Sequence, residues 1–179
     1  MSKRRLIVVG YGNPGRLDDG LGPAFAERAG RLGLPGVAVD SNYQLAIEDA
    51  ATIAEFDVAV FADASVSGLE PFNCVELAPK EGTCFTTHHV APEQILHLAR
   101  ALFGAATQAY LIGIRGYAFD EFGERLSPRA EENLQAALAF FRGCVENDCA
   151  FEAVAACRPR DAHSEIPPPG TGDRTWLKT

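Results

Sequence analysis

Three uninterrupted apolar runs set the frame for this chain: residues 6–10 (LIVVG), 58–62 (VAVFA) and 109–114 (AYLIGI). A strand with one wet face alternates apolar and polar residues, whereas a run with no polar position has to be covered on both faces. Between the runs lie stretches with helical spacing. Residues 23–32 carry Glu27, Arg28 and Arg31 for an outer face, and 45–54 suit a second helix. Residues 92–103 begin with proline, and 128–141 follow Ser127, a good N-cap. Residues 36–40 and 74–77 add two more strands. This alternation predicts an α/β fold, a three-layer α/β/α sandwich with a mainly parallel sheet.

After about Cys144 the pattern dissolves, and the last stretch gathers proline and polar residues, including Pro167, Pro168 and Pro169. The reading is one α/β domain over residues 1–145 and a proline-rich, flexible tail over 146–179. Twenty-four acidic against sixteen basic residues give a net charge of −8, which argues against a nucleic-acid surface. No run approaches the roughly 20 apolar residues of a membrane span, and the basic start lacks the long apolar stretch of a secretory signal. Five cysteines at irregular spacing then read as reduced thiols, so the expected compartment is the cytoplasm.

Gly10, Gly12 and Gly15 satisfy G-x-G-x-x-G after a strand, and Asp40 ends the next strand, which outlines a dinucleotide site. Pro14 offers no N–H to a phosphate, however, and Asp18 and Asp19 sit where the helix N-terminus would meet it. Two carboxylates there repel an anion. One aspartate is explained as a helix cap, leaving the other free to project elsewhere. Asp63 follows the run VAVFA, where open parallel sheets place ligands. Thr86, Thr87, His88 and His89 precede the helix at 92. If these connections share a sheet edge, Asp19, Asp63 and His88 or His89 converge as donors for a divalent metal with open positions. Neither H-E-x-x-H nor C-x-x-C is present to single out zinc.

The series Gly10-x-Gly12-Asn13, Asp18-Asp19-Gly20-x-Gly22, Asp63-Ala64 and Thr87-His88 resembles the [NiFe]-hydrogenase maturation proteases, over residues 5–141. The resemblance implies a three-layer α/β/α domain that removes a C-terminal peptide from the hydrogenase large-subunit precursor after nickel insertion. It places the site on Asp19, Asp63 and His88, as catalytic residues and as metal ligands. It leaves open whether a metal activates the water or nickel presented by the substrate is recognised. Asp18 would then cap the helix or orient Asp19. Asn13-Pro14-Gly15 and Tyr43-Gln44-Leu45 with Glu48 look closest to the branch serving soluble, NAD-coupled hydrogenases. The competing readings are a nucleotide-binding oxidoreductase on the glycine loop and a non-catalytic metal-binding maturation chaperone.

Overall fold

Along the first strand the side chains divide between two cores, and that division organises the molecule. The structure is a computed structural model describing residues 4–81 and 90–151. Its strands are β1 (Leu6–Tyr11), β2 (Val37–Asn42), β3 (Val58–Ser65), β4 (Phe72–Leu77) and β5 (Gln108–Arg115). Its helices are α1 (Leu21–Arg31), α2 (Asp49–Ile53), α3 (Pro92–Phe103) and α4 (Pro128–Glu146), with a 3-10 turn at Leu17–Gly20. Leu6, Val8, Val58 and Val60 pack with Phe25 of α1 and with Leu134 and Phe141 of α4. The intervening Ile7, Val9, Ala59 and Phe61 pack with Ile53 of α2 and with Ile95 and Leu96 of α3. Both faces are covered, so no position in the runs tolerates a polar residue.

One sheet runs in the order β2-β1-β3-β5-β4. The first three pairings are parallel, and β4 closes the edge antiparallel to β5. The chain leaves β1 for β2 on one side and returns for β3 on the other. Connections therefore diverge above the β1–β3 pair, and this switch point is where open α/β sheets form a crevice. Gly10 stands opposite Ala62. One step further, Tyr11 and Asp63 end up side by side on the face of α2 and α3.

Three boundaries differ from the sequence reading. β3 continues past Ala62, and Asp63 pairs with Gly113 as a residue of the strand rather than of the turn after it. α2 is five residues long. The Asp49 carboxylate accepts the Ala46 N–H at 2.8 Å, a local turn that competes with helix for residues 45–48. α4 extends to Glu146, and the packed domain does not stop at 145. Cys149 and Phe151 are buried, and the Phe151 ring lies 5.1 Å from Tyr110 and 6.1 Å from Phe141. Cys149 and Phe151 therefore belong to the core, where an aromatic anchor returns the chain, while Glu146, Asn147, Asp148 and Ala150 stay exposed. The expected tail from 152 to 179 lies outside the described residues. Among the described residues no helix is long and apolar enough to cross a membrane.

Phe151→Ala is expected to cost about 3–5 kcal/mol, the usual price of a phenylalanine-sized cavity. Urea unfolding measures it, and a loss below about 1 kcal/mol would show that the ring contributes little to the core.

Candidate functional site

The site is assembled where β1 enters the glycine loop. Gly12 has φ of 134°, and a Cβ there would lie 2.2 Å from the Asp19 carbonyl oxygen. At Gly22, in the first turn of α1, a Cβ would lie 2.2 Å from the Tyr11 carbonyl oxygen and 2.5 Å from that of Ala62. Glycine is needed at both positions so that α1 can press against the ends of β1 and β3. The loop amides are also engaged within the chain. Asn13 N–H donates to the Asp19 carboxylate at 3.1 Å, and Gly15 N–H donates to the Asn13 side chain at 2.9 Å. Asp40 is likewise tied to its own strand end by the Ser41 N–H at 2.8 Å. These contacts weigh against a nucleotide, since a carboxylate stands where a phosphate would have to bind.

Asp18 and Asp19 are adjacent in sequence and do opposite work. Asp18 is fully buried, and its carboxylate accepts N–H groups from Tyr117 at 2.8 Å, Ala118 at 2.9 Å and Ser127 at 2.7 Å. The Ser127 hydroxyl donates a fourth bond at 2.7 Å while accepting the Ala130 N–H as N-cap of α4. Neither aspartate caps α1, whose N-cap is Gly20 without a side-chain bond. The expected local cap is thus a long-range tie. Backbone bonds from Leu17 to Gly123 and from Asp18 to Ala118 reinforce it. They hold Leu17 at φ of 50°, an unfavourable value for a leucine. Burial pushes the Asp18 carboxyl up, but its hydrogen bonds outweigh burial and hold it below the usual carboxylate range.

Asp19 turns the other way, towards the glycine loop, and is half-buried. Asp63, also half-buried, accepts the Ala64 N–H at 2.7 Å and the Tyr11 hydroxyl. Burial pushes the Asp63 carboxyl up to about 6; the Ala64 and Tyr11 bonds oppose the rise, and the nearby Asp19 charge adds to it. Burial and the charges of Asp63 and Glu93 keep the Tyr11 hydroxyl protonated far above its ordinary range. Glu93 belongs to the first turn of α3, so that helix begins beside the site.

The structure thus brings Asp19 and Asp63 together and adds Tyr11 and Glu93, which the sequence reading missed. Strand parity carried a signal for Tyr11: two residues beyond Val9, it shares the face reached by Asp63 two residues beyond Phe61. His88, with Thr86, Thr87 and His89, lies outside the described residues. Among the described residues no three His, Cys, Asp or Glu side chains form a metal-binding group. Two oxygen donors, one titrating near neutrality, can receive part of a cation's shell or take a proton from water.

No protein-family model matches the sequence, and no curated protein matches it. Solved structures do. The [NiFe] hydrogenase maturation protease HycI from Thermococcus kodakarensis superposes with a TM-score of 0.64 at 23% identity, covering 82% of this chain and 95% of that one. The hydrogenase maturating endopeptidase HybD from E. coli gives 0.56 at 22% identity, over 80% and 93%. A hydrogenase 2 maturation peptidase from Thaumarchaeota archaeon SCGC_AB-539-E09 gives 0.58 at 20% identity, over 80% and 99%. The fold is that of the hydrogenase maturation proteases. It agrees with the α/β expectation, and the chain spans nearly the whole length of each neighbour.

Two outcomes test the electrostatics. Asp18→Ala is expected to lose at least about 3 kcal/mol at neutral pH, since orphaned buried donors cost about 1–3 kcal/mol each. The Asp18 carboxyl is lowered in the fold, so its stabilisation is present above the unfolded value and fades as pH falls through the folded one. The gap between wild type and variant in urea midpoint should therefore narrow as the pH falls below the ordinary carboxylate range. Separately, carboxyl NMR of the metal-free protein should show Asp63 titrating at about 6. Asp19→Asn should lower that midpoint by removing a like charge; a midpoint unmoved by it would show the two carboxylates to be uncoupled.

Proposed function

We propose that this chain is an endopeptidase of the [NiFe]-hydrogenase maturation protease family, removing a C-terminal peptide from the nickel-loaded large-subunit precursor. The observation that carries the proposal is the pairing of Asp19 with Asp63 above the β1–β3 switch point, in the fold of those proteases. Nickel is then part of the substrate, carried in by the precursor. Asp19 and Asp63 supply oxygen donors towards it, and His88 supplies a nitrogen donor. What supports including His88 is the Thr87-His88 element of the motif series, a few residues before α3, whose Glu93 charge is felt at Tyr11.

In this reading the aspartates bind the precursor only when its metal is in place, which brings the scissile carbonyl to the crevice. Asp63, whose carboxyl is pushed up to about 6, is then suited to take the proton of the attacking water. Asp18 touches no substrate and holds the turn that carries Asp19. The setting is the cytoplasm, on the irregular spacing of the five cysteines. The partner we favour is the precursor of a soluble, NAD-coupled hydrogenase, on the loop residues Asn13-Pro14-Gly15 and Tyr43-Gln44-Leu45 with Glu48.

Mass spectrometry of the precursor provides the test. Wild type should shorten the nickel-loaded form by one C-terminal peptide and leave the nickel-free form intact. Asp19→Ala, Asp63→Ala and His88→Ala should each slow the cut by roughly 100-fold or more. An unchanged precursor mass with wild type, or undiminished cutting by both aspartate variants, would refute the proposal.

A further inference from the structure

Asp63 is gripped from two sides, and the second grip is specific to the residue at position 11. The Ala64 N–H holds Oδ1 at 2.7 Å, from the next residue of the same strand. A single bond of that kind leaves the carboxylate free to rock about its terminal torsion, which is broad for aspartate. The other donor is the Tyr11 hydroxyl, reaching across from β1.

Tyr11 is well placed to act as a fixed donor. Its backbone is registered against β2 up to Asn42, and its carbonyl oxygen lies against Gly22 of α1. Its ring packs on the same core as Val9, Phe61 and Ile95. A carboxylate can accept about four hydrogen bonds, so two protein donors leave lone pairs for a substrate group on the side of Asp19.

We propose that Tyr11 is a positioning residue, whose hydroxyl fixes the direction in which Asp63 presents its free lone pairs beside Asp19. This deepens the protease reading and rests on it for its kinetic consequences. Tyr11 makes no contact with the reacting atoms and acts only through Asp63. The effect falls on both roles given to Asp63, holding the precursor's metal and cutting the bond.

Tyr11→Phe in the full chain keeps the ring and deletes the donor. Processing of nickel-loaded precursor should then lose about 10–100-fold in kcat/KM, the range for losing a partner that orients a ligand. The thermal midpoint should stay near that of wild type. Incorporating 4-aminophenylalanine at position 11, which restores a donor at the same place, should recover most of the lost rate. A rate unchanged in Tyr11→Phe, or a loss that 4-aminophenylalanine does not restore, overturns the proposal.

One readout needs no substrate. In crystals grown under matched conditions, Asp63 should hold one rotamer in wild type and more than one in Tyr11→Phe. A single unchanged rotamer in both overturns the proposal. Failure of wild type to cut any precursor, with the rotamer still released in the variant, refutes the protease reading and supports the positioning role.

Discussion

The buried carboxylate of Asp18 holds the functional edge of this protein together. Three backbone amides and one hydroxyl converge on it from residues 99 to 109 positions away in the chain. Each of those donors would otherwise need its own partner in a loop that lacks regular structure. One side chain thereby closes the 3-10 turn after β1 onto the connection between β5 and α4, and it seats Ser127 as cap of α4. The positive φ at Leu17 persists because these bonds over-determine the turn.

With Asp18 anchored inward, its neighbour has to face the opposite way. Asp19 is thus delivered towards the glycine loop by the geometry of consecutive residues in a tight turn, and Asp63 reaches the same place from β3. Asp18 and Asp63 differ in environment, not in kind. Asp18 is rich in donors and easily ionised, whereas Asp63 has fewer donors to offset its desolvation and feels a like charge, so its proton is held more tightly.

Much of this was legible in the sequence, because parity and apolar runs report burial directly. LIVVG and VAVFA announced strands covered on both faces, Ser127 announced the start of α4, and Asp63 was picked out by its place at a strand end. What stayed hidden depended on partners distant in the chain. Capping is a local rule, so it looked for a partner of one aspartate in the next helix, when the donors to Asp18 lie about a hundred residues away. The length of α2 turned on one Asp49 bond to Ala46. Phe151 sits beyond a helix in a polar, weakly patterned stretch, and only the aromatic cluster it joins shows that it is core. Tyr11 falls inside the glycine motif, and only its hydrogen bond to Asp63 across the β1–β3 pair shows its part in the site.

Gly22 has one further consequence. Its backbone lies against main-chain oxygens of both β1 and β3. The gap between the strand ends that carry Tyr11 and Asp63, and the helix that follows Asp19, is thus set by main chain against main chain, with no side chain between them. A side chain at position 22 would have to push those backbones apart, so the spacing of the site hangs on a residue that takes no part in its chemistry.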